Sequence, residues 1–586
     1  MLRATTIAAG AFAWSILLGA PAPVVPDKVH DRFVPASYEG QKIEGLLGRR
    51  MQVNLEGRLL HVDEARLLAG FQHKPGEQDW IGEHAGKFLH AAGNTWLYTH
   101  DERLKGIMDR IARGLIAAQG ADGYLGTYTD DKRWTSWDVW VHKYDLIGLL
   151  TYYQITGDGA ALGAARKAGD LLCRTFGEGP GQRDIIKAGE HVGMAATSVL
   201  EPMVMLYRYT GDKRYLEFCY YITRAYDEPG GPRIIRSLAE TGSVFKTANA
   251  KAYEMMSNLV GLAELYRLTG ERRFLEPVET AWKDISARRL YVTGTTSAGE
   301  HFRGDFDLPG EEKADVGEGC ATVTWLQLNW ELLRLTGEPQ YGQELERTIY
   351  NQLLGAQDPH NGNICYFTPL NGKKQPTPGI NCCVSSEPRG ISMIPQIAWG
   401  ALSSGIAVEL YTPGRAEIAG VQLKSETTFP ADGTVILTLQ NSGGRRFPLW
   451  LRVPVWTREF TAAAGGHKLA GKPGTYLKIE RAWKDGDRVE VTMDMTIRLL
   501  DGGKSYPNTV AVARGPQVLA LEKSLNPVSP DEAVLSPEAP RLAPAANSLP
   551  AGWGGTQAYR LNAGGQQLTL VPFADAAEFR VWLPKK

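Results

Sequence analysis

Two short runs carry residue types that hold metals or attack electrophiles: Glu318-Gly319-Cys320 and, about sixty residues on, Asn381-Cys382-Cys383. They contain three of the chain's six cysteines. In an extended segment alternate side chains share a face, so Glu318 and Cys320 would form a carboxylate–thiol clamp. Cys382 and Cys383 could serve one site only where the backbone turns, and Pro376, Pro378, Gly379 and Pro388 supply turn residues nearby. Three sulfurs and one carboxylate oxygen suit four-coordinate zinc better than calcium or magnesium, which take oxygen ligands. The spacing is not that of a zinc finger. Chemistry alone leaves three readings open: one shared metal site, a vicinal or long-range disulfide, or buried free thiols.

The elements that must position these residues are helical from about residue 40 to 402. One phrase recurs at Tyr153–Asp158, Tyr207–Asp212, Tyr266–Glu271 and Leu333–Glu338, each ending in Thr-Gly-Asp or Thr-Gly-Glu, with Tyr98–Asp101 as a degenerate copy. Each phrase lies between two amphipathic patterns. Its glycine (157, 211, 270, 337) reads as a left-handed helix C-cap, and the acidic residue after it as the start of the next helix. Each repeat is therefore a helical hairpin that needs neighbours to bury its inner face, and five or six of them suit a closed toroid, an (α/α)6 barrel. The loops at one end would line a pocket. Asp79, Trp80, His84, the run Asp122–Tyr128, Trp140 and His142 fall between helices and read as pocket residues or, individually, as core.

From residue 403 to 525 the texture changes to period-two alternation, as in Gly433–Gln440 and Arg488–Met493, broken by Gly, Pro and Asp turns. That pattern predicts an antiparallel β-sandwich, so the fold class is multidomain α + β. Residues 526–556, rich in Pro, Ala and Ser, read as a linker, and 557–586 as final strands returning to the sandwich.

Composition bounds the partners. The 586 residues carry a formal net charge of -1, which gives no bulk attraction for nucleic acid or an anionic membrane. Residues 1–24, with Arg3 and an apolar run from Ile7 to Leu18, read as a signal peptide, which predicts a periplasmic or secreted protein. No other stretch is long and apolar enough for a transmembrane helix, and the oligomeric state is not legible.

The run Gly299-Glu300, Asp305–Pro309, Glu318–Ala321, then Cys382-Cys383 and Arg389, resembles glycoside hydrolase family 127, the β-L-arabinofuranosidase family. Asp122–Leu125, Tyr350-Asn351, Tyr366, Arg514–Pro516 and Arg580–Pro584 extend the likeness over most of the chain. The resemblance implies an (α/α)6 barrel with β-sandwich support, a glycan substrate, a Zn2+ ion held by Glu318, Cys320, Cys382 and Cys383, and retaining hydrolysis. It implies Cys382 as nucleophile, Glu300 as general acid/base, and His142 and Tyr366 as sugar contacts. A zinc-bound thiol is deprotonated, so the metal would keep a thiolate ready, while four protein ligands leave no place for an activated water. Glu300 would need its pKa raised by burial or neighbouring negative charge. The chain departs from the family at Val384-Ser385-Ser386, where Pro-Pro-Asn is common, and at Ala196 or Thr197 and Lys251, where sugar-contacting histidines are expected. These departures leave room for a different sugar, or for a lyase on the same toroid. A glycan-binding protein stapled by structural zinc is the non-catalytic alternative, and it has no need of a carboxylate facing Cys382.

Overall fold

The computed structural model describes residues 21–527, 533, 535, 542–544, 555, 557–563 and 566–585. The expected signal peptide and linker lie mostly outside the described residues.

Among the described residues, six helices pack on one another in cyclic order: Glu83–Thr99, Asp138–Thr156, Leu200–Thr210, Ala252–Thr269, Gly319–Thr336 and Cys382–Ser392, the last returning to the first. Residues all round these helices are buried, as in Ala252–Thr269, where only Tyr266 of eighteen side chains is not. The helices that follow the first five, such as Glu102–Ala118 and Arg272–Arg288, bury one stripe only and pack on the outside of the ring. Gly45–Gly57 plays that part for Cys382–Ser392.

The recurring glycines make this geometry. Gly157, Gly211, Gly270 and Gly337 each cap a ring helix with φ between 68° and 72°, and His100 takes the same left-handed role in the degenerate copy. Asp101, Asp158 and Asp212 then accept backbone N–H bonds as N-caps of the outer helices. Glu271 and Glu338 occupy the same position without a side-chain cap bond. Because every hairpin turns back the same way, the ring helices run parallel and their N-termini meet at one end. At the opposite end the N-terminal segment crosses three caps in turn: Val24 and Val25 donate to the Arg208 carbonyl, Val29 to that of Arg267 and Arg32 to that of Arg334. Asp27 pairs with Arg208, and Asp31 with both Arg267 and Arg334.

Three sheets follow. Gly405–Val408 and Arg446–Arg452 are central in a five-stranded sheet, and their parallel pairing is an exception to the antiparallel expectation. A seven-stranded sheet is antiparallel throughout, with the alternating burial read from sequence in Thr434–Gln440 and Arg488–Met493. Phe33–Pro35 and Lys42–Ile43 join the edges of these two sheets, and the apolar faces of both merge with the helical core in one cluster. The final strands pair with Thr509–Arg514 and Gln517–Glu522 in a third sheet, which also takes Asn371–Lys373 from the helical region.

Candidate active site

The residues with chemistry lie at the converged N-termini of the ring. Glu318 is the N-cap of Gly319–Thr336, and Cys320 is in its first turn. Cys382 opens Cys382–Ser392, whose N-cap Asn381 accepts from the Val384 N–H. The extended clamp expected for Glu318 and Cys320 is thus a helix start, and helix geometry rather than a proline turn brings Cys382 and Cys383 to one side. Both runs sit where unpaired N–H groups and the helix dipole favour anions.

The ligand atoms of Glu318, Cys320, Cys382 and Cys383 all lie within 4.8 Å of one another. Cys383 Sγ is 3.6 Å from Cys320 Sγ and 3.8 Å from Cys382 Sγ, and the Cys320 N–H donates to Cys383 Sγ. All six cysteines are free, which removes the disulfide reading. Glu318 is buried with Oε2 unpartnered, a costly arrangement that a cation would satisfy. The donor set therefore fits a thiophilic metal such as zinc.

The three thiols are not equivalent. Cys320 and Cys383 are fully buried, and burial pushes their pKa values up. Cys382 is partly exposed and is lowered to about 6, by hydrogen bonds from Cys320 and Cys383 and then, against burial, by the Lys87 ammonium. Lys87 is itself buried, paired with Glu83 at 2.8 Å, and donates to the Cys382 carbonyl. The sulfur that can reach a ligand is the one that ionises first.

Tyr366 joins this cluster to Glu300. Its hydroxyl donates to Glu300 Oε1 at 2.8 Å and accepts from Cys382 Sγ at 3.0 Å. Burial, then the nearby thiols, raise its pKa, so it stays a donor. Glu300 has φ +63°, a conformation uncommon for a residue with Cβ, on a loop between the Arg272–Arg288 and Gly319–Thr336 helices. Its other oxygen is ion-paired with Lys251. Burial raises the Glu300 pKa, but Lys251 and the Tyr366 hydrogen bond together outweigh it, so Glu300 is held below the usual carboxylate range. That reverses the raised pKa expected from sequence, and the cause is the lysine standing where a histidine was expected.

The comparisons with known proteins cover the stretch of chain that holds these residues. The signature "Beta-L-arabinofuranosidase, GH127 catalytic domain" matches residues 55–396, and that of the GH127 middle domain matches 405–495. This chain belongs to glycoside hydrolase family 127. As a family 127 member it is a glycoside hydrolase. A curated relative from Bifidobacterium longum, named non-reducing end β-L-arabinofuranosidase, is 27% identical over 75% of each chain. A solved family 127 β-arabinofuranosidase superposes with TM-score 0.82 at 24% identity, over 95% of this chain and 98% of the other. Ara127N from Geobacillus stearothermophilus T6 gives 0.77 at 21%, over 93% and 100%.

In this family 127 chain the structure unites six of the residues picked from sequence, Glu300, Glu318, Cys320, Cys382, Cys383 and, between them, Tyr366. His142 is set apart. It is fully buried, its Nδ1 faces the Asp138 carbonyl at 2.8 Å, its Nε2 accepts the Leu125 N–H, and it packs between Tyr124 and Trp134. Both ring nitrogens are thereby used, and burial lowers its pKa. Ala196 and Thr197 are buried too, Thr197 bonding Asn258, so neither stands in for a sugar-contacting histidine.

Sequence reasoning missed His191, Glu254, Lys87 and Glu83. His191 is partly exposed, packs on Trp137, and has Nε2 3.9 Å from Glu254 Oε1. Glu254 is buried with Oε2 unpartnered, and burial pushes its pKa up to about 7. The signal for His191 was present in Gly189-Glu190-His191-Val192-Gly193, a glycine-flanked histidine just before a helix.

Proposed function

We propose that this family 127 chain is an exported, zinc-dependent, retaining glycoside hydrolase that removes β-linked L-arabinofuranose from glycan fragments, within an (α/α)6 barrel formed by the six-helix ring. The observation that carries the reading is the Tyr366 hydroxyl, which contacts both Glu300 and Cys382. A binding protein with a structural metal has no use for a carboxylate one hydroxyl away from a metal-ligand thiol, whereas double displacement needs a nucleophile and an acid/base on one pocket.

Zinc held by Glu318, Cys320, Cys382 and Cys383 supplies a deprotonated sulfur and offsets the cluster's negative charge. Cys382 Sγ attacks the anomeric carbon, forming a C–S bond as the glycosidic C–O bond breaks, and Glu300 gives its proton to the departing oxygen. Water then attacks the same carbon, Glu300 takes its proton, and the C–S bond breaks to restore the thiolate. The second half finds Glu300 as it stands, a carboxylate paired with Lys251. The first half needs it protonated, and a sugar that displaces water from its partly exposed side chain strengthens the burial effect that already opposes Lys251. With Cys382 a thiolate, the single Tyr366 hydroxyl proton turns to the sulfur while protonated Glu300 donates to the Tyr366 oxygen, and once the C–S bond has formed that proton turns to the Glu300 carboxylate.

The test is hydrolysis of nitrophenyl β-L-arabinofuranoside by the purified chain, with product stereochemistry read by NMR. Release of β-L-arabinose as the first product is expected. First-formed α-product, or turnover of other furanosides only, would contradict the reaction or the sugar respectively.

A further inference from the structure

The rim around the pocket carries apolar surface that the two-step chemistry does not use. Among the described residues six large hydrophobic side chains are exposed, and three of them, Trp80, Val192 and Phe245, sit on the loops that lead into ring helices at the catalytic end. Trp80 is the largest, 39% exposed, three residues before Glu83–Thr99. It is continuous with the site. Trp80 meets Trp137 edge-to-face at 6.4 Å, Trp137 meets Trp140 at 5.5 Å and His191 at 5.4 Å, and Trp137 belongs to the apolar cluster that includes Tyr366 and Cys382.

The loop holding Trp80 is fixed. The Tyr128 hydroxyl donates to the Asp79 carbonyl at 2.8 Å, and the Ser136 hydroxyl donates to Asp79 Oδ2 at 3.0 Å. A pinned indole with a wet face, beside an exposed carboxylate, offers both things a sugar ring presents a need for: an apolar surface for its C–H face and an acceptor for its hydroxyls. The three side chains stand on separate loops at the end of the ring that holds the site, and Trp80 alone is joined to it by a chain of aromatic contacts.

We propose that Trp80 is the platform of a leaving-group subsite that stacks the sugar ring attached through the scissile bond, making the preferred substrates oligosaccharides rather than simple glycosides. This rests on the glycosidase reading above and deepens it. The sugar released sits over Cys382 and Glu300, while the next ring lies over Trp80 with Asp79 at its hydroxyls.

The experiment compares wild type, Trp80→Ala and Trp80→Phe on two probes: methyl β-L-arabinofuranoside, which has no second ring, and a disaccharide with β-L-arabinofuranose at its non-reducing end. Wild-type turnover of the methyl glycoside reports on the glycosidase reading independently of Trp80. Trp80→Ala is expected to lower kcat/KM for the disaccharide roughly tenfold more than for the methyl glycoside, the size of one aromatic stacking contact, with Trp80→Phe recovering most of it. Equal effects on the two probes, or no effect on the disaccharide, would overturn the subsite. Because Trp80 is exposed at a turn, the Ala variant is expected to keep the wild-type melting temperature, which separates loss of stacking from loss of fold.

Discussion

Six side chains carry the proposed chemistry: Cys382 and Glu300 react with the sugar, Tyr366 links them, and Glu318, Cys320 and Cys383 join Cys382 in holding the metal that would prepare the sulfur. Glu300→Gln keeps the shape but loses the proton, so turnover of natural glycosides should fall about 10²–10⁴-fold with bound zinc unchanged, read by metal analysis of the same sample. Retained turnover would remove Glu300 from its role. Lys251 sets the second expectation. A general acid must be protonated, so kcat/KM falls as pH rises through its pKa, and the Lys251 cation holds that pKa down. Lys251→Met removes the cation and leaves burial, so the alkaline limb of the pH profile should move to higher pH. A limb that stays in place would show that the pair does not govern catalysis. At this scale the candidate metal ligands were legible by type in both cysteine runs, and Glu300 was legible only through the family resemblance, because other carboxylates (Glu311, Glu312, Asp315) lie close by in sequence. The Glu300 protonation state was not, since it depends on Lys251, 49 residues away in sequence. Nor was the placement of His142, a histidine between helices whose burial only packing could reveal.

Helix termini do the positioning. Cys320 and Cys382 stand in first turns, where the dipole favours a thiolate by about 0.3–1 kcal/mol at exposed sites and up to ~2 kcal/mol when partly buried. Glu83 and Lys87 open another ring helix, and Lys251 and Glu254 a third. This arrangement requires close helix contacts, and the closest is between Glu83–Thr99 and Asp138–Thr156. A Cβ on Gly86 would lie 2.0 Å from the Tyr144 carbonyl oxygen, and one on Gly148 2.7 Å from Gly86 Cα. Gly86→Ala should therefore separate the helices, costing about 3 kcal/mol in denaturant unfolding and reducing activity through Lys87 and Trp140. Wild-type stability in that variant would mean the helices can part without harm. The glycine caps were legible because a left-handed residue after a helix has few alternatives, and all four adopt it. The helix starts at Glu318 and Cys382 were not. The Glu318–Cys320 run read locally as extended and Pro388 as a turn signal, and tertiary packing overrode both.

At the scale of the molecule, the ring is closed at the end away from the site by the segment from Val24 to Arg32. Asp31 is its anchor, with a largely buried carboxylate shared by Arg267 and Arg334. Asp31→Ala should cost on the order of 3 kcal/mol and lower the melting temperature, with catalytic constants unchanged at temperatures where the variant is folded. Coupled loss of kcat at those temperatures would show instead that the strap and the pocket are one cooperative unit. The helical ring and the sheets were legible from period and repeat, whereas the addition of residues 33–35 and 42–43 to sheets built nearly four hundred residues later was not, because strand pairing across such a separation leaves no local mark. In the proposed mechanism this architecture holds one sulfur against an anomeric carbon, and intact-mass spectrometry tests that claim most directly. Glu300→Gln lacks the base for the second step, while a nitrophenolate leaves without an acid. The variant incubated with nitrophenyl β-L-arabinofuranoside should therefore gain the mass of one anhydropentose, mapped by peptide sequencing to Cys382. An unmodified protein that still releases nitrophenolate in repeated turnovers, or a sugar found on any other residue, would contradict it.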